Sequence, residues 1–154
     1  NMLCLIINLR HILYSGKYYL KMMITVIVVD DDFDTVEVFS EFLTLHDFKV
    51  MGKAYDGKEG VELYEKTKPD IIFADMMMPN FDGFYLLQEL RLKWPQSKVI
   101  IVTADMREES EEKLIEFGAN AIIFKPFKMV HVSAALKHTL NNEIVPFNYC
   151  NIFQ

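Results

Sequence analysis

Between residues 23 and 140 the chain alternates short apolar runs with longer stretches whose apolar residues recur at helical spacing. The short runs are Ile24–Val29, Lys49–Ala54, Ile71–Ala74, Val99–Val102 and Ala121–Phe124. They read as strands of a parallel sheet covered on both faces. The amphipathic stretches predict helices over Asp34–Leu45, Lys58–Thr67, Phe84–Lys93, Glu108–Phe117 and Met129–Leu140. Their ends carry stop signals: Pro69 follows the second, Trp94-Pro95 closes the third, and Gly118 sits just past the fourth. Asp34 can cap the first, and Asp32 reads as solvated or as a cap of the same helix. Glu108-Glu109-Ser110-Glu111-Glu112 places negative charge in the first turn of the fourth, where the helix dipole favours it. Five strand–helix pairs in a row predict an α/β fold. Its form is a doubly wound five-stranded parallel sheet, helices on both faces, with right-handed crossovers.

Composition narrows the picture. The 154 residues, 51% hydrophobic, suit one domain with a full core. We expect residues 23–140 to form it. Residues 1–22 read as an extension, and 141–154 as an oily tail that packs back or docks elsewhere, too small for an output domain. A net charge of -6 argues against a nucleic-acid partner. No apolar run approaches the ~20 residues of a spanning helix, so no membrane insertion is expected. The two cysteines, Cys4 and Cys150, have neither metal-ligand spacing nor a disulfide framework, and a reduced, cytoplasmic location follows as the expectation.

The chemistry gathers at strand ends. The first strand runs into Asp30-Asp31-Asp32, the third into Asp75, the fourth into Thr103 and the fifth into Lys125. Open parallel sheets bind ligands at that edge. Clustered carboxylates repel one another, and Mg²⁺ (or Mn²⁺) relieves the repulsion while accepting waters and phosphate oxygens. One Asp can then attack phosphorus and become an acyl phosphate. A Thr hydroxyl and a Lys ammonium would stabilise the charge on the transferring group.

The stretches Val28-Val29-Asp30-Asp31-Asp32, Asp75-Met76-Met77-Met78-Pro79 with Asp82-Gly83, Val102-Thr103-Ala104 and Lys125-Pro126-Phe127 occur in this order, each at a strand end. Together they resemble the receiver domain of two-component response regulators, of the single-domain chemotaxis-regulator type, with a flavodoxin-like fold. The resemblance covers residues 23–140. It implies that Asp75 accepts a phosphoryl group from a sensor histidine kinase or a histidine phosphotransfer protein. It implies Mg²⁺ held by Asp30, Asp31, Asp75 and the Met77 carbonyl, and phosphoryl oxygens held by Thr103 and Lys125. Such a protein is no turnover enzyme and acts only on itself at Asp75. Its output is a contact with a downstream protein or a phosphorelay, and a homodimer through the fourth helix, fifth strand and fifth helix is left open. A cis bond before Pro126 is also implied.

Departures from the family pattern concern the switch and the lifetime. An aromatic switch residue usually stands three before the Lys; here it is Ile122, leaving Phe124 or Phe127 to take over. Met77 and Asp105 occupy the positions that tune loss of the phosphoryl group. A thioether cannot orient a hydrolytic water, whereas Asp105 can, so slow to intermediate self-hydrolysis is expected.

Blander readings apply elsewhere. Val36, Phe39 and Leu43 form one face of the first helix, and Val38 and Phe42 widen it into a broad core contact or a docking surface. Met76, Met77 and Met78 read as packing, since thioethers do not suit hard cations. His11, His46, His131 and His138 do not cluster and read as surface residues. Two rivals stand beside the main reading. One is a receiver-like interaction module that is never phosphorylated. The other is a haloacid-dehalogenase-like phosphohydrolase with its nucleophile in Asp32-Phe33-Asp34-Thr35-Val36, but this leaves Asp75 unassigned and lacks a late acidic motif.

Overall fold

The strands and helices form as the alternation predicts. The computed structural model describes residues 23–141 and the strand Phe147–Asn148. The strands are β1 (Thr25–Val29), β2 (Lys49–Ala54), β3 (Ile71–Ala74), β4 (Val99–Thr103), β5 (Ala121–Phe124) and β6 (Phe147–Asn148). The helices are α1 (Phe33–Leu45), α2 (Gly57–Thr67), α3 (Gly83–Lys93), α4 (Glu108–Glu116) and α5 (Met129–Leu140). All pairings are parallel, in the order β2-β1-β3-β4-β5-β6. β2 lies at one edge of the sheet. The sequence reading has five strands; β6 adds a two-residue pairing beside Ala121 and Ile122. Residues 1–22, and with them His11 and Cys4, lie outside the described residues, as does Cys150.

Period-two alternation splits β1, β3, β4 and β5 between two cores. Ile27, Val29, Ile72, Ile101, Ile122 and Phe124 face α2, α3 and α4, meeting Val61, Leu86, Leu90 and Leu114. Val26, Val28, Ile71, Phe73, Ile100 and Ile123 face α1 and α5, meeting Val36, Phe39, Leu43, Val132 and Leu136. Burial on both faces explains why β1, β3, β4 and β5 are continuous apolar runs, whereas the edge strand β2 carries Lys49 and Lys53.

Aspartates start three of the helices. The Asp32 carboxylate accepts the Thr35 N–H at 2.7 Å, Asp56 the Glu59 N–H at 2.8 Å, and Asp82 the Tyr85 N–H at 2.9 Å. Each such cap is worth about 1 kcal/mol. Asp34 is not the cap of α1; it lies in the first turn, because the chain enters the helix one residue earlier. Asp32 is placed for the task when its own N–H bonds to Asp30 Oδ1 at 3.0 Å.

The opposite rim of the sheet is tied by Arg91, in the last turn of α3. Its guanidinium donates to the Gly118 carbonyl, to the Ser97 carbonyl and hydroxyl, and to Asn120 Oδ1. Asn120 Oδ1 also accepts the Val99 N–H at 2.8 Å. Gly118 turns the chain with φ +90, and a Cβ there would lie 2.6 Å from Arg91 Nε.

Two of the predicted surface histidines are buried. His131 is 8% exposed and His138 7%. His131 sits in the first turn of α5, where its Nδ1 accepts the Lys128 N–H at 3.0 Å. Its spacing from Ala135 and His138 puts all three on the sheet-facing side of the helix, and that overrides their polarity.

Candidate functional site

β1 pairs with β2 on one side and β3 on the other, so the strand order reverses between β1 and β3. Helices leave opposite faces there and open a crevice at the carboxyl ends of the strands. Asp30 follows β1 and Asp75 follows β3, and the Asp75 N–H bonds to the Val29 carbonyl at 2.8 Å. The two carboxylates are therefore neighbours by construction. Both are buried, at 6% and 8% exposure.

Lys125, just past β5, crosses β4 to reach them. Its Nζ donates to Asp30 Oδ2 at 2.9 Å and to Asp75 Oδ1 at 3.1 Å. The Lys125 N–H meets the Thr103 carbonyl at 2.8 Å, and the Lys125–Pro126 bond is cis, as the resemblance implies. Asp75 Oδ2 accepts the Met77 N–H at 2.7 Å. Asp30, Asp75 and Lys125 line a small cavity of ≈ 30 Å³ with Thr35, Phe39, Phe73 and Phe127.

Burial pushes the Asp75 carboxyl above its ordinary range, and nearby Asp30 adds to this. The Lys125 ammonium and the Met77 N–H pull the other way. Lys125 is held above its ordinary range: burial opposes its charge, but the bonds and charges of Asp30 and Asp75 outweigh that.

The remaining predicted positions fall into distinct places. Asp31 is exposed at the pocket rim. Met77 is exposed too, at 63%, between a buried Met76 and a buried Met78. Packing thus accounts for the outer two methionines and not for Met77, whose loop turns its side chain outward while its backbone holds Asp75. Among the described residues no three acidic, histidine or cysteine side chains already converge as a metal cage. The oxygen donors nonetheless suit a hard cation: two buried carboxylates whose charge one ammonium offsets only in part, with room for water.

Thr103 is fully buried, and its hydroxyl accepts the Asp105 N–H at 3.1 Å. The Asp105 carboxylate is taken up by Arg107 and Ser110. Ile122 is 1% exposed in the core, and Phe124 is buried beside it. Phe127 is half-buried and packs edge-on against Phe39 and Phe42. Of the two widening residues on α1, Val38 is 68% exposed, whereas Phe42 is packed against Phe39, His46 and Phe127. Phe42 belongs to the core margin, not to a free docking face. Sequence reasoning missed Arg107, whose clue was its position two residues after Asp105.

Asp32 and Asp34, the two carboxylates of the hydrolase rival's nucleophile motif, are exposed at the start of α1. Asp32 is spent on capping. A site of that kind is not built here.

Comparison with known proteins agrees with this geometry. Residues 26–137 match the response regulator receiver domain family. The chemotaxis protein CheY of Listeria monocytogenes is 33% identical over 115 residues, covering 75% of this chain and 97% of that protein. The probable C4-dicarboxylate response regulator DctR of Priestia megaterium is 37% identical over 114 residues, covering 73% of this chain; the chain spans only 50% of DctR. Among solved structures, a chain of the CheX-CheY-BeF3-Mg+2 complex from Borrelia burgdorferi superposes with TM-score 0.74 at 26% identity, covering 80% of this chain and 94% of that one. The response regulator domain of Thermotoga maritima CheB gives TM-score 0.68 at 30% identity, covering 79% and 99%. A doubly wound parallel sheet with an acidic pocket at its switch point defines the fold and site. The chain belongs to the response regulator receiver domain family of two-component systems. Among the described residues no helix is long and apolar enough to cross a membrane.

Proposed function

We propose that this receiver domain takes a phosphoryl group onto Asp75 from a phosphohistidine donor and signals through protein contacts that depend on the modification, or by relay. The observation that carries this is the Lys125 ammonium shared between two buried carboxylates, one of them at the end of β3.

In the reaction an Asp75 oxygen bonds to phosphorus as the bond from phosphorus to the donor imidazole nitrogen breaks. The electron pair stays on that nitrogen, which then takes a proton from solvent. The acceptor must be ionised to attack. Burial works against that, and Lys125 with the Met77 N–H works for it. Asp30, Asp31, Asp75 and the Met77 carbonyl would hold Mg²⁺ or Mn²⁺, which when bound supplies charge neutralisation at the phosphoryl oxygens. Lys125 would move from bridging two carboxylates to bridging carboxylate and phosphoryl group. Thr103, next across the sheet edge, would donate its hydroxyl to a phosphoryl oxygen. With Ile122 aliphatic and buried, the modified state would be relayed by Phe127, whose ring packs between the pocket and α1. The partners are a histidine kinase or phosphotransfer protein and a downstream protein. A homodimer through α4, β5 and α5 remains a further assembly to measure.

Incubation with acetyl phosphate and Mg²⁺ should add one phosphoryl group to Asp75, seen by intact mass and peptide mapping, and Asp75→Asn should abolish it. A wild-type protein that gains no mass under these conditions overturns the reading and leaves an unmodified interaction module. Continuous turnover of p-nitrophenyl phosphate would point to a hydrolase instead. The phosphoryl group should outlast a few seconds.

A further inference from the structure

We infer that Arg107 and Ser110 are positioning residues that withhold the Asp105 carboxylate from the phosphorylation pocket and so lengthen the life of the phosphoryl group on Asp75. This rests on the function proposed above.

Asp105 lies in the loop from β4 to α4. β4 runs between β3 and β5, so Thr103 ends between Asp75 and Lys125 along the same edge. The Asp105 N–H touches the Thr103 hydroxyl, so Asp105 is the next residue around the rim. Its carboxylate is fully occupied. Oδ1 accepts the Arg107 N–H at 3.0 Å and the Arg107 Nε–H at 2.8 Å. Oδ2 accepts Arg107 Nε–H at 3.0 Å, Arg107 Nη2–H and the Ser110 hydroxyl at 2.8 Å. A forked guanidinium is the donor best shaped to hold a carboxylate in one place.

Hydrolysis of the acyl phosphate forms a bond from a water oxygen to phosphorus and breaks the bond from phosphorus to Asp75. The Asp75 carboxylate leaves with the electron pair, and the water must lose a proton. A free carboxylate on the rim would orient that water and accept the proton. In the clasp both oxygens are filled, and the Arg107 bonds hold Asp105 far below the usual carboxylate range, which makes it a poor base. Met77, exposed two residues after Asp75, has no proton-accepting group to replace it.

The test measures the decay of phosphorylated protein after removal of acetyl phosphate, in wild type, Arg107→Ala, Asp105→Ala and the double variant. Arg107→Ala should shorten the lifetime roughly tenfold, a part of the ~10²–10⁴ that a well-placed base contributes. Asp105→Ala should stay within about twofold of wild type, and the double variant should return to that range, a coupling a general structural lesion would not produce. An unchanged lifetime in Arg107→Ala, or a double variant as short-lived as Arg107→Ala, overturns the inference alone. A wild-type chain that takes no phosphoryl group overturns the reading beneath it, and the inference with it.

Discussion

Replacing Lys125 by methionine takes away the cation that Asp30 and Asp75 share and leaves two buried carboxylates side by side. Breaking a fully buried ion pair from one side costs about 3–5 kcal/mol. The Lys125 side chain is 29% exposed, so water recovers part of that. Two charge-assisted bonds of 2.9 and 3.1 Å are lost, and with them the desolvation that the ammonium itself suffers. The expected loss is about 2–3 kcal/mol at neutral pH, roughly 10 °C in Tm for a domain of this size. The pH dependence has a definite sign. Asp75 already sits above its ordinary range in the folded state, and removing Lys125 raises it further. A raised carboxyl costs nothing below its unfolded value and costs most once it ionises in the fold. The deficit of Lys125→Met should therefore be largest at neutral pH and shrink as pH falls through the carboxylate range. Urea unfolding of both proteins at several pH values measures it, and Mg²⁺ should stabilise the variant more than the wild type. A deficit that is constant from neutral to acid pH, or a variant more stable than wild type at neutral pH, would refute the picture of a shared ammonium.

Asp75→Asn keeps the shape and removes the buried charge; its urea midpoint should rise at neutral pH, with the gain gone below about pH 3.9, the unfolded carboxylate value. Gly83→Ala puts a Cβ 2.7 Å from the Asp75 carbonyl oxygen and 2.9 Å from Met76 Cα. That overpacking should cost about 1–3 kcal/mol by denaturant titration and slow labelling of Asp75, because the two backbones must part. Arg91→Leu strips partners from the carbonyls of Ser97 and Gly118 and from Asn120, and should cost about 3 kcal/mol; a variant within about 1 kcal/mol of wild type would show the Arg91 bonds to be decorative.

Much of the site was readable because it is built on strand ends. Where an apolar run stops, the next residue stands at the rim of the sheet, so Asp30, Asp75, Thr103 and Lys125 follow from the pattern alone. Asp34 and Asp32 both read as possible caps of α1, and the choice fell to Asp32 because the chain bends at Asp31, a turn marked by one local hydrogen bond. The histidines of α5 were misplaced by weighing residue type over spacing: positions 131, 135 and 138 carry the helical signal of a buried face. Phe42 stayed open between core contact and docking surface because its partner Phe127 is distant in sequence. The Arg91 network was out of reach for the same reason, and the Arg107 clasp left only the clue of its spacing from Asp105, since a loop decides its geometry.

Arg91 gives the sheet a fixed footing. It fastens the turns that enter β4 and β5 to the end of α3, far from the acidic pocket. Loops at the other end can then tilt about an anchored base without any strand sliding out of register. Chemical change at Asp75 should reshape the upper surface while amides near residues 99 and 121 keep the same slow hydrogen exchange in both forms.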